Sequence, residues 1–460
     1  MASPKEEQAK GQVYNKAYVD SYLSSLSQAS SDGVRLPYDP MLELFYGKHA
    51  TANRRTDGIP PKLIEVVDES GTICTFDDEG NAIMPRKTVR SYGKAAMDVF
   101  LPAGYPHTVT PDYTPYQIYD SLQAFSSTIA GLLSSRAVLQ GFGVGDSASS
   151  ATAAVLLTVL QEATGRLATI LFAHRYGRAI EPECKFYRFL ADIVNDSALF
   201  LDILSPALPQ YPKILALCGA GILRALCGVS GGAAKASLSA HFAKTGNLAE
   251  LNAKDGSQET VISLLGMLVG SLFVQLVHSK KAVWAWMVVL VGVHLWTNYQ
   301  AVRSVEMRTL NRQRLTILAQ YYFSSNIILR PKAVAAKESI LRSGPAVPDV
   351  SYASKLSQLR MIQPADRVKF RSERYIIVKN GSGAQTIFLK ERATPQDIQK
   401  AWVEACVGIG PQSAFLLGLK TAGWDVEANA LVTGRTLLIK EAKQGLHVEG
   451  LSTANDKKGN

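Results

Sequence analysis

The sequence predicts a mainly α fold: a multi-pass helical membrane domain followed by a small soluble α+β C-terminal domain. Two long uncharged runs, 261–277 and 282–302, predict the membrane domain. Charged residues make up 19% of the chain, whereas about 25% is usual in soluble globular proteins. Beyond Pro331 the chain turns polar and contains a hairpin signal, which predicts the soluble domain.

The N-terminal part is predicted to comprise a polar tail at 1–60 and, at 61–115, short strands and a loop rich in Pro, Gly and Tyr. Alternating segments at 72–76 and 82–84 flank a turn and predict a hairpin. The first forty residues contain no apolar run typical of a signal peptide. We therefore expect membrane insertion to depend on the internal apolar helices.

The helical membrane domain is predicted at 116–330. The run 282–302 has 21 residues, and a helix of about 20 residues crosses a hydrocarbon core. Only 278–281 separates it from 261–277, which predicts a tight helical hairpin. Aromatic residues near the ends of this hairpin fit a membrane interface: Trp284, Trp286, Trp296 and Tyr299. A large soluble helical core is the alternative.

Another uncharged helix is predicted from Ser147, capped by Asp146 or Ser147 itself. The preceding GFGVGD is not a dinucleotide fingerprint, because Asp146 occupies the third glycine position. Two stripes of small residues at four-residue spacing predict close helix packing: Gly228, Gly232, Ala236 and Ala240, and Gly266 and Gly270.

Toward the C-terminus the sequence predicts a linker at 331–367, the soluble α+β domain at 368–442 and a tail at 443–460. The segment 380–383 predicts a hairpin turn. Thr394 and Pro395 predict a helix start, as N-cap and first helical residue. That helix is expected to end near Val407, with a second helix at 412–422 and a third strand at 436–439.

The first candidate site lies in FYRFLADIVND. Arg188, Asp192 and Asp196 are four residues apart and share one helix face. Carboxylates beside apolar segments are costly unless they are paired or hydrated. One hypothesis is a polar cavity in which Arg188, Arg136 or Arg166 supplies the counter-charge. The other is an interfacial helix whose aspartates face water.

The second candidate site is the polar stretch before the 261–277 run. Asp255 followed by Gln258 predicts a capping box at the start of that helix. Capping does not explain the density of polar groups at Lys254, Gln258 and Glu259, so a binding role also stays open.

Composition argues against several classes of function. The net charge is +10, but Lys and Arg are scattered and often end apolar runs, which favours membrane flanks over nucleic-acid binding. The five cysteines form no CxxC pair, and the seven histidines are isolated in sequence. Neither a metal site nor a cofactor is therefore predicted.

Four segments together resemble the root UVB sensitive (RUS) family: 101–146, 186–196, 228–267 and 283–300. The resemblance covers about 90–310, and the region 368–442 resembles the smaller C-terminal domain of the family. The sequence departs from the family pattern at 161–166, which reads QEATGR where the family usually has a Lys-Asp-Gly turn.

The resemblance implies an integral membrane protein with a link to vitamin B6 balance, and it brings no catalytic residues with it. We interpret the chain as binding or moving a small polar molecule, or as scaffolding partners at a membrane. The alternatives are an enzyme using acidic and basic residues of the helical domain, or an interaction module acting through the C-terminal domain. The expected partners are the lipid bilayer and other family members or a second copy, with no nucleic acid.

Overall fold

The computed structural model describes three short strands and then residues 99–141, 151–244, 246–341, 349–363, 366, 373–381, 383–411 and 413–440. The strands are β1 (Glu65–Val67), β2 (Ile73–Phe76) and β3 (Ala82–Ile83). β2 and β3 are antiparallel, with Thr75 opposite Ile83, which confirms the predicted hairpin. The predicted tails at 1–60 and 443–460 lie outside the described residues.

Six helices form the helical domain. They are α1 (Tyr113–Gly141), α2 (Ala151–Ile180), α3 (Cys184–Leu204), α4 (Gln210–Phe242), α5 (Leu248–Leu276) and α6 (Lys280–Ser304). α1 packs against α3, α5 and α6, and α3 also packs against α6. α4 packs against α3 on one side and α2 on the other. The helices α1, α3 and α6 therefore meet in the interior.

Four of these helices are long and apolar enough to cross a membrane: α2 from Val155, α4, α5 and α6. Large apolar side chains on them are exposed, among them Ile170 of α2 and Leu268 and Leu272 of α5. A soluble core would bury such side chains, whereas lipid solvates them. Length, composition and exposure thus confirm the predicted fold class of a multi-pass helical domain with membrane-capable helices.

The two small-residue stripes behave differently. A Cβ atom added at Gly266 would lie 2.9 Å from Cβ of Thr128, and one at Gly270 would lie 2.6 Å from Cδ1 of Leu132. These glycines therefore allow α5 to approach α1 closely. Added Cβ atoms at Gly228 and Gly232 would meet nothing within 4 Å.

One helix start differs from its prediction, and a second cannot be compared with its own. α5 begins at Leu248 after the N-cap position Asn247, so the capping box predicted at Asp255 is wrong. Asp255 lies two turns inside the helix. Its carboxylate accepts hydrogen bonds from side chains of α1 instead of capping α5. α2 begins at Ala151, and the predicted cap at Asp146 or Ser147 lies outside the described residues.

The described residues of the C-terminal domain include four α-helices and four strands. These are α7 (Arg312–Ser325), α8 (Pro331–Ala335), β4 (Val350–Tyr352), β5 (Tyr375–Lys379), β6 (Gln385–Lys390), α9 (Pro395–Val407), α10 (Ser413–Thr421) and β7 (Leu438–Ile439). The sheet order is β4-β6-β5, and β7 also pairs with β6. β5 and β6 are the antiparallel hairpin that the turn at 380–383 predicts.

Helix α9 starts and ends as predicted. Thr394 Oγ1 accepts from the Asp397 amide at 3.2 Å, and the Asp397 carboxylate accepts from the Thr394 amide at 2.9 Å. Pro395 is the first helical residue, and Gly408 ends the helix in the left-handed conformation.

Two elements pack against the C-terminal domain although they precede its predicted start at residue 368. β4 lies within the predicted linker 331–367 and pairs in parallel with β6. α7 lies within the predicted membrane domain, yet Leu315 and Leu318 are buried in one core with Trp402 of α9. Trp402 Nε1 also donates to Thr316 Oγ1 at 3.1 Å. The C-terminal core therefore begins near residue 310.

Candidate functional site

The face of α3 that carries Arg188, Asp192 and Asp196 is turned into the helical domain. Asp192 and Asp196 are 5% and 3% exposed. The hypothesis of aspartates that face water is therefore wrong, because α1 and α6 cover them. Their desolvation has to be offset by partners from those two helices.

Arg188 makes three charge-assisted hydrogen bonds, two of which join α3 to α1. Its Nη1 donates to Asp192 Oδ1 at 3.0 Å, so the expected pairing of these two residues is present. Its Nη2 donates to Asp120 Oδ1 at 2.9 Å and to Gln123 Oε1 at 2.8 Å. One guanidinium thus holds two carboxylates from different helices.

α6 completes the site with His294 and Asn298. Asp192 Oδ2 accepts from Gln123 Nε2 at 2.6 Å and from Asn298 Nδ2. His294 Nδ1 lies 2.8 Å from Asp196 Oδ2, and its Nε2 lies 3.1 Å from Gln123 Nε2. We call these seven residues the polar cluster: Asp120, Gln123, Arg188, Asp192, Asp196, His294 and Asn298.

Two oxygen atoms of the polar cluster accept no hydrogen bond from the described residues. Asp196 Oδ1 and Asn298 Oδ1 are buried and have no hydrogen-bond partner among the described residues. Buried acceptors are nearly always satisfied in folded proteins. Both atoms can accept a hydrogen bond. A bound molecule with a hydrogen-bond donor could therefore satisfy them.

The other arginines proposed as counter-charges lie elsewhere. Arg136 donates to the carbonyl oxygens of Val274 and Val277 at 3.1 and 2.9 Å, and so satisfies free carbonyls at the end of α5. Arg166 pairs with Glu162 on α2 at 3.1 Å. Arg136 and Arg166 therefore do not join Asp192 and Asp196.

The second candidate site is a separate set of contacts between α1 and α5. Tyr113 OH donates to Asp255 Oδ1 at 2.7 Å, and Gln117 Nε2 donates to the same atom at 2.8 Å. Gln258 Nε2 donates to the carbonyl of Phe100 at 2.6 Å.

Lys254 and Glu259 lie at the edge of the second site and bind residues outside it. Lys254 Nζ donates to the carbonyl of Val99 at 3.1 Å, and Glu259 pairs with Lys235 of α4 at 2.6 Å. Both sites use the same polar face of α1, since Tyr113, Gln117, Asp120 and Gln123 follow at helical spacing. A binding role for Arg136, Lys254, Asp255, Gln258 and Glu259 stays a prediction.

A buried ion-pair network ties the start of α3 to the C-terminal domain. Glu338 accepts from Lys185 Nζ at 2.9 Å, and Arg314 Nη2 lies 2.7 Å from its other oxygen. Burial opposes ionisation of Glu338, but Arg314 and Lys185 outweigh it and lower the pKa of the carboxyl to about 2. The network is thus a structural clamp with matched charges.

Sequence reasoning missed four members of the polar cluster: Asp120, Gln123, His294 and Asn298. A signal for them exists. Asp120 and Gln123 are three residues apart, and His294 and Asn298 are four apart within an apolar helix. Polar side chains at such spacing in a largely apolar helix predict that they share one buried face.

The comparisons with known proteins identify a family that matches the helical part of the chain. Residues 86–326 match the family described as "Vitamin B6 photo-protection and homoeostasis domain". The chain is similar to "Protein root UVB sensitive 3" of Arabidopsis thaliana, at 30% identity over 68% of this chain and 75% of that protein.

Two further relatives are more distant in coverage or identity. "RUS family member 1" of Dictyostelium discoideum is 36% identical over 58% of this chain, which spans about half (52%) of that protein. "Protein root UVB sensitive 2, chloroplastic" of Arabidopsis thaliana is 24% identical over 76% of this chain and 82% of that protein. No solved structure matches the chain.

The family match spans all six helices of the helical domain and extends through α7. It therefore includes α1, α3 and α6, whose side chains build the polar cluster. With more than half of the chain matched and a 30% identical relative covered over three quarters of its length, the chain belongs to the root UVB sensitive family.

Proposed function

We propose that the chain is an integral membrane protein whose polar cluster binds a small polar molecule and carries it through the helical domain. The two buried oxygens without a partner, Asp196 Oδ1 and Asn298 Oδ1, are the observation that supports this proposal most. Ionisable residues inside a membrane domain commonly line a substrate or ion pathway.

The charges of the polar cluster favour a particular class of ligand. Asp120, Asp192 and Asp196 supply three carboxylates, and Arg188 supplies the one guanidinium. Carboxylates therefore outnumber the arginine by three to one in the cluster. A ligand with hydrogen-bond donors or a positive charge would satisfy the free oxygens and reduce this imbalance.

Vitamin B6 compounds fit that class. Their pyridine rings carry hydroxyl groups, and some forms also carry an amine. The family description links the shared domain to vitamin B6 homoeostasis. We propose that the ligand is a vitamin B6 compound, with an amine or hydroxyl group donating to Asp196 and Asn298.

The test begins with the membrane itself. After carbonate extraction of membranes, we expect the full chain in the pellet; release into the supernatant would contradict integral insertion. The purified chain is then reconstituted into liposomes, and uptake of labelled pyridoxine and pyridoxamine is compared with empty liposomes. Recovery of a chemically altered compound would favour an enzyme instead.

Asp196→Asn replaces one carboxylate oxygen by a donor, so uptake should fall to the level of empty liposomes while insertion persists. The control is Asp112→Asn, because Asp112 is a buried carboxylate outside the polar cluster whose Oδ2 binds His241 and the Glu306 amide. We expect it to lower abundance but to leave uptake per molecule unchanged. Unchanged uptake by Asp196→Asn would overturn the proposal.

A further inference from the structure

The ion pair of Glu162 and Arg166 lies on an exposed face of α2, outside its contact with α4. Gly165 of α2 is buried against α4, where an added Cβ would lie 3.3 Å from the carbonyl oxygen of Gly221. Glu162 and Arg166 lie to one side of this contact, and their side chains are 61% and 80% exposed. They bond to each other at 3.1 Å within the helix.

This pair lies at the middle of the apolar part of α2. Apart from Glu162 and Arg166, the segment from Val155 to Ala173 is uncharged, and His174 and Arg175 follow it. Eighteen residue steps give it a length of about 27 Å, close to the hydrocarbon thickness of about 30 Å. Thr164 is its midpoint, and Glu162 and Arg166 each lie two residues away.

The same outer face carries apolar residues on both sides of the charges. Val155, Val159 and Ile170 share this face and are exposed. An apolar helix face with an exposed ion pair at its centre is costly against lipid, because neither charge is hydrated there. A protein surface that brings opposite charges to the same depth would remove this cost.

We propose that the outer face of α2 is a self-association interface, occupied by α2 of a second copy of this chain. With a two-fold axis along the membrane normal, the two α2 helices run parallel at equal depth. Glu162 of each copy then meets Arg166 of the other, so the contact is reciprocal and both ion pairs are covered. The offset of four residues is about 6 Å along the helix, which a long arginine side chain spans.

The experiment co-expresses two differently tagged full-length chains and measures how much of one co-purifies with the other from mild detergent. Wild-type chains should co-purify. Glu162→Arg in both copies, or Arg166→Glu in both, should lower co-purification about tenfold or more, because like charges then face each other.

Co-expression of the two different variants, called the mixed pair, tests the proposed contact most directly. A Glu162→Arg chain with an Arg166→Glu chain places two arginines against two glutamates, which restores attraction between copies but not within either helix. Co-purification should therefore return to near the wild-type level. The control is Arg178→Glu, a charge reversal at the exposed polar end of the same helix, which should have no effect.

Three results would overturn the proposal: no co-purification of wild-type chains, unchanged association of the single variants, or a mixed pair as weak as the singles. Size-exclusion profiles of each variant show whether it is folded before the comparison is made. The readout uses no substrate, so it is independent of the proposed transport.

Discussion

At the scale of single residues, several buried carboxylates of the described chain lie next to a basic side chain. Asp192 has Arg188, Asp202 has Arg224, and Glu338 has both Arg314 and Lys185. Removing one member of such a pair leaves the other buried and uncompensated, which costs about 3–5 kcal/mol. Single substitutions in these networks should therefore affect stability far more than substitutions of exposed pairs.

The pair of Asp112 and His241 follows the same rule at the entry to α1. Asp112 Oδ2 lies 2.9 Å from His241 Nε2 and accepts from the Glu306 amide at 2.6 Å. Burial raises the pKa of Asp112, but His241 and the amide outweigh it and lower the pKa to about 2. An ionised Asp112 thus joins the start of α1 to the ends of α4 and α6.

Glu338→Gln should lower the free energy of unfolding by about 3 kcal/mol near neutral pH, because Arg314 and Lys185 lose their counter-charge. The folded pKa of about 2 lies below the ordinary value of 4.5. This stabilisation is fully present above pH 4.5 and is lost as the pH falls toward 2. The difference in melting temperature between wild type and variant should therefore shrink between about pH 6 and about pH 3.

Glu391→Gln is the matched control, because Glu391 pairs with Lys440 at 2.9 Å on an exposed surface. Its effect should stay below about 1 kcal/mol at either pH. A wild-type advantage over Glu338→Gln that does not change with pH would contradict the role assigned to the Glu338 carboxylate.

At the scale of elements, α1 is the helix on which the helical domain is organised. It packs against α3, α5 and α6, and its polar face supplies Gln117, Asp120 and Gln123 to the two polar sites. Its contact with α5 depends on backbone proximity, since the carbonyl oxygen of Phe125 would lie 3.3 Å from a Cβ added at Gly266.

Gly266→Ala should destabilise the helical domain by about 1–3 kcal/mol, because the new methyl group forces α5 away from α1. Thermal melting in detergent measures this. Gly292→Ala is the control, because a Cβ at that position of α6 meets nothing within 4 Å. It should be neutral or slightly stabilising, as alanine favours helix. A Gly266→Ala variant that melts at or above the wild-type temperature would disprove the close-contact argument.

Local sequence signals predict the elements well where the structure is decided locally. The hairpin around 380–383 and the capped helix α9 are set by turn and cap residues, and both are confirmed. Asp255 is the opposite case. Its spacing to Gln258 resembles a cap, but its partners Tyr113 and Gln117 are about 140 residues away in sequence, with separations of 142 and 138.

In the polar cluster, too, local spacing predicts some features, and contacts between distant residues decide the others. The spacing of Arg188, Asp192 and Asp196 on one helix face predicts their common orientation, and the Arg188–Asp192 pair is present. His294 is a single histidine in an apolar helix, and its meaning depends on Asp196, 98 residues away. Which helices face each other is a tertiary property that helical spacing alone does not contain.

At the scale of the whole molecule, the C-terminal core draws on more of the chain than its composition suggests. α7 lies within the predicted membrane domain, but Leu310, Leu315 and Leu318 are fully buried with Trp402 and Phe415. β4 adds an edge strand from a stretch rich in proline and serine.

A fragment of residues 306–440 should therefore fold without the helical domain, whereas a fragment of 368–442 should not. The shorter fragment lacks α7 and β4, so Trp402 and Ile387 lose their covering side chains. Dispersion of amide resonances distinguishes a folded fragment from a collapsed one. A well-dispersed spectrum from 368–442 would contradict the boundary that the structure indicates.

The place of α1 has a consequence for biosynthesis. It leaves the ribosome before the other five helices of the domain, yet Gln123 bonds with His294, which follows 171 residues later. Until α6 emerges, Asp192 lacks Asn298 and Asp196 lacks His294. A chain truncated before residue 280 should therefore be degraded faster than the full chain, which a pulse-chase experiment measures.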